Sequence, residues 1–390
     1  EIHSGDWSSD VCSSDLDHVE VHETGFAGFV AKTDPKCDGT AERGTFTMYN
    51  THLHHNYVHD TGGEGFYVGS SFYLGQDKTC DGQTVTLMPH VMEGVWIHHN
   101  LIQRTGWDGL QVGSAPEDCA VYANLIQEVG LGGVEYQMQG IQIGGGAACE
   151  VYGNAVFHGP AVGIILIGAG EGVVANNLLV DFGSHGIFAD DRDVFSGPSY
   201  AFLHNTVVEP GRLGIRLMGE SNEGSVLYNN LVVAAPEGGV DPGQGEGDDN
   251  LVVDTVGEVG FVDPGADDYR LTSESMAVNT GRELSAWPLA AVDLEGVPRD
   301  DAPDPGAYEY IEGPRPDGGL TGPDGGLGDD PGSSGSGGGG CGCRAADTGG
   351  QDYRSRGLLA LMVLASFLVG LAWVKNTRNR RCASRWSEKR

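Results

Sequence analysis

An Asn followed by two mostly apolar residues occurs eight times along this chain, at Asn56, Asn100, Asn124, Asn154, Asn177, Asn205, Asn230 and Asn250. Seven of them are followed at a near-fixed distance by Gly and an apolar residue, the glycines being Gly65, Gly109, Gly140, Gly163, Gly186, Gly214 and Gly239. Six of those intervals are nine residues. The seventh, Asn124 to Gly140, is sixteen and places a seven-residue insertion between Val129 and Gln139. From one Asn to the next the spacing runs 44, 24, 30, 23, 28, 25 and 20. Constant spacing within a unit and variable spacing between units describes a solenoid whose coils carry loops of unequal length.

Three further positions in each unit are apolar. They lie three before the Asn (Leu53, Ile97, Val121, Val151, Val174, Phe202, Leu227), two after it (Val58, Ile102, Ile126, Val156, Leu179, Val207, Val232) and one after the Gly (Phe66, Leu110, Ile141, Ile164, Ile187, Ile215, Val240). Short strands separated by tight turns satisfy this pattern, and helical periodicity does not. No single unit buries its apolar face alone, so the units must stack.

The run Asp6-Trp7-Ser8-Ser9-Asp10-Val11-Cys12-Ser13-Ser14-Asp15-Leu16 resembles the translation of a common short-read sequencing adapter, and Glu1-Ile2 fits the part that precedes it. Residues 1–16 are therefore set aside from fold reasoning, and the natural chain is expected to begin upstream of Asp17. Glu23-Thr24-Gly25-Phe26-Ala27-Gly28-Phe29 matches Asp60-Thr61-Gly62-Gly63-Glu64-Gly65-Phe66, so the remainder of one more coil is expected there.

Charge and cysteines narrow the function. From Lys375 onward there are seven basic residues and one acidic; everything before carries 15 basic against 54 acidic. Such a surface repels phosphate backbones and attracts cations, so no nucleic-acid partner is expected. Cys119 and Cys149 each stand five residues before their Asn, in the same phase of successive units. Stacked strands would bring them about 4.8 Å apart, within disulfide range. Cys37 and Cys80 both open a Cys-Asp-Gly in a loop after a Gly-apolar strand and form the second expected pair. Four reduced core thiols are the alternative, disfavoured for an acidic, Gly-rich chain of exported character.

The repeat resembles the right-handed parallel β-helix of pectate-lyase-like carbohydrate-active proteins, in which a turn Asn in each coil stacks into an amide ladder. That resemblance covers residues 17 to about 250 and implies an all-β fold. A turn Asn can bond its neighbours above and below while tolerating left-handed backbone. We assign 17–247 to the β-helix. Residues 248–310, with Phe261-Val262-Asp263-Pro264, Asp268-Tyr269-Arg270-Leu271 and Gly306-Ala307-Tyr308-Glu309, resemble the C-terminal segment of exported bacterial β-helix proteins and are expected to cap the last coil.

Residues 311–356 are too rich in Gly, Ser, Pro and Asp to bury a core and are expected to be a flexible linker. Residues 357–374 are uncharged and apolar, near the lower limit for one transmembrane helix. The basic 375–390 tail places that end in the cytoplasm and the β-helix outside. Gly340-Cys341-Gly342-Cys343-Arg344, the apolar span and the Arg cluster together look like the MYXO-CTERM sorting signal of myxobacterial surface proteins. This resemblance implies a sorting protease acting near Cys341 and Cys343 and delivery to the cell surface; the spacer from Arg344 to Gly357 and the tail are longer than that signal's.

Ligands of β-helix proteins lie along one exposed sheet. The residue two after each repeat Gly should face outward, giving the column Tyr67, Gln111, Gln142, Ile165, Phe188, Arg216 and Asp241. Ring stacking on Tyr67 and amide bonds from Gln111 and Gln142 suit a sugar chain, with Arg216 for an acidic one; a plain solvated face is the alternative. Asp190, Asp191 and Asp193, three carboxylates within four residues, would suit Ca²⁺, or Asp190 and Asp191 the acid and base of a glycosidase. A solvated loop is again the alternative. Arg192 sits among them. Asp108 and His185 share one unit position, each just before its Gly, and Arg104 and Trp107 flank Asp108 as a groove wall.

A lyase needs a base and a cation to neutralise the uronate carboxylate. Lysine is a poor candidate for that base, the repeat region holding only Lys32, Lys36 and Lys78. The His pairs at 54–55 and 98–99 are expected to stack at a coil turn rather than bind a transition metal, because the next coil offers Tyr122 and Ala123. Two functions follow: a surface protein that binds polysaccharide or acts as an adhesive or structural element, or a polysaccharide lyase, glycoside hydrolase or epimerase, with Ca²⁺ as its one expected cofactor.

Overall fold

The computed structural model describes residues 14–192, 194–195, 199–219, 222–313 and 315. The expected linker beyond 315, Asp193, Cys341, Cys343, the apolar span 357–374 and the basic tail lie outside the described residues. Among the described residues no helix is long and apolar enough to cross a membrane.

The chain winds into stacked coils whose strands form three parallel sheets of eight, nine and eight strands. In the coil around Asn154, Cys149–Tyr152 lies in the first sheet, Ala155–Gly159 in the second and Ile164–Ile167 in the third. Within these three sheets each strand pairs with its counterpart one coil away; sequence neighbours pair only in the antiparallel hairpins Gln76–Cys80/Gln83–Leu87 and Phe261–Asp263/Asp268–Leu271 among the described residues. The three apolar positions of every unit point into one continuous core. Leu53, Ile97, Val121 and Phe202 fill it from the first sheet, Val58 and Ile102 from the second, and Phe66 and Leu110 from the third, all at most 1% exposed.

The Asn of each coil occupies the corner between the first and second sheets. Asn56 donates its side-chain Nδ2 to Oδ1 of Asn100 (3.0 Å), Asn100 to Asn124 (2.9 Å), Asn124 to Asn154 (3.0 Å), and so on to Asn250. Each Oδ1 also accepts the preceding coil's Asn backbone N–H, as Asn154 accepts that of Asn124 at 3.1 Å. The left-handed residue is not the Asn, as expected, but the one before it: His55, His99, Ala123, Asn176, His204 and Asn229 all have φ between 50° and 54°. A second left-handed residue stands four after each of the first seven Asn: Asp60, Arg104, Glu128, His158, Asp181, Glu209 and Ala234. These two bends turn the chain into and out of the second sheet. The repeat Gly answers a different need. A Cβ on Gly65 would lie 2.4 Å from the carbonyl oxygen of Gly109, and one on Gly109 would lie 2.6 Å from that of Gly140. Only Gly lets consecutive coils approach this closely.

Both expected disulfides are formed, Cys37–Cys80 and Cys119–Cys149, with Cα separations of 5.5 and 4.4 Å. The described chain starts inside a strand: Ser14–Asp17 pairs with Thr51–His54, so the 16/17 boundary falls within an element of the first sheet. At the other end Leu251–Val253 still pairs with Leu231–Val233 of the second sheet.

Residues 248–310 are the segment expected to cap the last coil. Beyond Val253 it runs back along the outer faces of the first two sheets. Val259, Phe261, Tyr269, Leu271 and Ala307 pack on Leu178, Val180, Val208 and Leu231, while Leu284 and Ala290 pack on Ala175, Ala201 and Leu203. Arg299 is the main polar tie. It bonds Glu309 (2.9 Å), the side chain of Asn176 (2.9 Å) and the carbonyls of Asp304 and Gly306. The reason is the outward residues of these coils, which are apolar and need cover. The third sheet's outer face is left out of that cover.

Candidate functional site

The outward column on the third sheet is in register as expected: Tyr67 pairs with Gln111, then Gln142, Ile165, Phe188, Arg216 and Asp241. It is not a continuous open strip. Gln111, Gln142 and Ile165 are only 2, 5 and 6% exposed. The loop after the strand Phe66–Val68 reaches over them, Ser71 bonding both the Tyr67 hydroxyl (3.1 Å) and the Gln111 amide. At the far border Tyr73 and Phe195 meet, ring centres 5.7 Å apart, and Gly146 leaves room for the Tyr73 ring. Open surface therefore remains at the two ends of the column. Tyr67 stands at one end. Phe188 and Arg216 stand at the other, where Arg216 already faces Asp241 at 3.6 Å.

At the Tyr67 end the neighbouring residues gather an aromatic and a charged group. Trp107 meets Phe26 edge-on at 5.5 Å, above Gly63, and Phe26 meets Tyr67 at 6.3 Å. Lys32 lies 4.4 Å over the Tyr67 ring, bonds its hydroxyl at 3.2 Å and pairs with Asp34. Lysine, set aside as sparse, is thus present on this face.

Beside Tyr67 and Gln111 lie two carboxylates on consecutive coils, Asp108 and Glu64. Asp108 is completely buried, and its Oδ1 accepts the backbone N–H of Gln139 at 2.7 Å. Glu64 is 1% exposed. Glu64 Oε2 and Asp108 Oδ2 have no hydrogen-bond partner among the described residues. Burial pushes the Glu64 carboxyl up to about 7 and that of Asp108 well above its ordinary value, with Glu64 adding to the rise at Asp108. Glu64 escaped the sequence reading, although it holds the unit position of Asp108 and His185 and was available from the same spacing.

Other expected site residues are not brought together. His185 is in the column of Asp108 but three coils along, about 14 Å at the usual strand spacing. It is 3% exposed, stacks on Phe188 at 5.5 Å, and burial, then Arg212, holds its pKa down. Arg104 does not line a wall with Trp107. Its left-handed backbone (φ 52°) turns its side chain to the second sheet, where it makes a two-pronged pair with Asp60 at 2.7 and 2.9 Å. That guanidinium, and His59, hold the Asp60 carboxyl well below its ordinary range.

Asp190 ends the strand Ile187–Asp190, at the border opposite Asp108, and accepts the backbone N–H of Arg192 at 3.1 Å. Asp191 is 2% exposed, and its carboxylate fills the space that a Cβ on Gly219 would need, while Arg192 is exposed. Among the described residues no three His, Cys, Asp or Glu side chains converge as a metal site. The histidine pairs stack as expected. His54 lies on His98 at 4.9 Å, His55 on His99 at 5.1 Å, and Tyr122 continues the first stack at 4.6 Å.

Comparison with known proteins agrees with this architecture. The family model for the right handed beta helix region matches residues 90–254. Its handedness is the one that the resemblance to pectate-lyase-like proteins implies. Among solved structures, pectate lyase Pel9A is similar with a TM-score of 0.51 at 13% identity, over 75% of this chain and 70% of that one. A complex of XylC with xylose is also similar, with a TM-score of 0.40 at 12% identity, over 77% of this chain and 66% of that one. No curated protein matches the sequence. At 13% identity, what the chain shares with Pel9A is the fold.

Proposed function

We propose that this protein binds a polysaccharide on the outer face of the third sheet and is exported and held at the cell surface by the apolar segment 357–374. The observation that supports it is the gathering of Phe26, Tyr67 and Trp107 beside Lys32, at the open end of the face that the C-terminal segment leaves uncovered. Aromatic rings with a few placed polar groups are what a sugar chain needs. Binding is favoured over turnover because Asp108, His185 and Asp190 stand on different coils or borders. A panel of acidic and neutral polysaccharides, tested against the intact chain and Tyr67→Ala/Trp107→Ala, decides it. Loss of binding in the variant is expected; unchanged binding would refute the reading.

A second reading, catalysis, is favoured by one observation: Glu64 and Asp108 stand on consecutive coils, each with one carboxylate oxygen that has no hydrogen-bond partner among the described residues and each with its pKa raised by burial. Reducing-sugar and unsaturated-uronate assays, with and without Ca²⁺ for the Asp190–Asp193 run, test it. Turnover abolished by Asp108→Asn supports it, and the absence of turnover on every substrate sinks it.

A further inference from the structure

The outer face of the first sheet lies a turn away from the face discussed above and carries features independent of it. Outward residues of this sheet stack ring on ring. His52 and Trp96 are parallel to within 2° with centres 4.7 Å apart, and His54, His98, Tyr122 and Tyr152 continue in the neighbouring column at 4.6 to 4.9 Å. The His52–Trp96 column then stops. The residue paired with Trp96 on the next coil is Ala120, and the one after that is Glu150.

One coil level is therefore empty of side chain. Strands lie about 4.8 Å apart, so Trp96 and Glu150 stand roughly 9.6 Å apart with only a methyl group between them. That is the room taken by one ring at the stacking distance already seen below it. Along the strand the gap is bordered by Asp118 two residues before Ala120 and Tyr122 two residues after. Trp96 is 38% exposed, and both Asp118 and Glu150 are exposed. The indole is held in place, one face on His52 and its Nε1–H donated to Asp118 Oδ1 at 3.1 Å. Its other face looks into the gap.

We infer that this slot receives a neutral pyranose ring of a glycan chain. An apolar sugar face suits the indole, and the edge hydroxyls are donors facing two acceptor-only carboxylates. A uronate would bring its own carboxylate against Asp118 and Glu150, with no Lys or Arg among the described residues named at the gap, and is excluded by repulsion. The slot thus selects a different sugar class from the Lys32 and Arg216 face of the third sheet.

The test is calorimetric titration of the intact chain with cellohexaose, xylohexaose, mannohexaose, chitohexaose and hexagalacturonate. It is repeated in a Tyr67→Ala background so that third-sheet binding cannot mask the result. At least one neutral hexasaccharide is expected to bind, and Trp96→Ala and Ala120→Trp should each weaken it by about tenfold with an unchanged melting curve. Trp96→Phe should retain most of the affinity, and Glu150→Gln should relax the exclusion of hexagalacturonate. Binding of no neutral hexasaccharide, or binding insensitive to both Trp96→Ala and Ala120→Trp, overturns the proposal. Loss of hexagalacturonate binding in Tyr67→Ala alone would concern the third sheet only.

Discussion

Asn154→Ala tests what the amide ladder contributes. Asn154 is completely buried at mid-stack. Its Nδ2 donates to Asn177 Oδ1 (2.9 Å), Val121 O (2.9 Å) and Tyr152 O (3.2 Å), and its Oδ1 accepts the backbone and side-chain N–H of Asn124 at 3.1 and 3.0 Å. Truncation leaves the Asn124 backbone N–H and the Val121 carbonyl without these partners in a place water does not reach. Each such orphan costs about 1–3 kcal/mol, so the total should be about 3–5 kcal/mol. Asn250→Ala removes a similar set of bonds at a half-exposed site where water substitutes, and should cost about 1 kcal/mol. Urea unfolding with unchanged slope is the assay. Asn154→Asp adds a sign. Its carboxyl would meet three acceptor oxygens and must keep a proton to donate, so its folded pKa lies above the unfolded value. That variant should be more stable near pH 4 than near pH 7. Equal costs for Asn154→Ala and Asn250→Ala would refute the reasoning.

Further outcomes are expected. Burial holds the Glu64 carboxyl at about 7 against an ordinary 4.5, so the folded chain keeps a proton that the unfolded chain releases. That contribution is complete below about pH 4.5 and lost as pH rises through 7, so Glu64→Gln should flatten the stability profile between pH 5 and 8 by up to about 3 kcal/mol. Breaking Cys119–Cys149, which closes a 30-residue separation, should cost roughly 3–4 kcal/mol in a denaturation series on Cys119→Ala/Cys149→Ala. Mild reductant should open Cys37–Cys80 first, because Cys37 is exposed and Cys119 and Cys149 are 5 and 2% exposed; alkylation and peptide mass spectrometry read the order. Arg299→Ala should leave Glu309 buried and unpaired, cost about 3–5 kcal/mol, and expose residues 280–310 to limited proteolysis.

Most of the solenoid was legible because its constraints repeat. Asn spacing alone placed Leu53, Val58 and Phe66 inside, Tyr67 and Gln111 in one register, and Cys119 opposite Cys149. The left-handed residue was misplaced by one, since the Asn is the conspicuous letter while the bend falls on the varied residue before it. Facing outward was taken for exposure at Gln111 and Gln142, because loop cover by Ser71 and Tyr73 depends on chain paths that no periodicity records. The same holds for the C-terminal segment. Its contacts with Asn176 and His204, a hundred residues or more away, leave no local trace. The Trp96 slot could have been read, since His52, Trp96, Ala120 and Glu150 all stand four before their Asn.

The Asn row has one more property, which comes from its direction. From Asn56 to Asn230 each side-chain amide donates to the Asn Oδ1 of the next coil, so these seven amide bonds run the same way down the stack. Neighbours polarise one another, which strengthens the bonds in the middle of the row beyond what isolated pairs would have. The two ends then differ electrically. The donor end at Asn250 turns its N–H groups onto the carbonyls of Leu227, Gly247 and Asp248, next to the carboxylates of Asp248 and Asp249. The acidic chain at that end opposes the partial positive charge of the row, as acidic side chains do at the start of an α-helix.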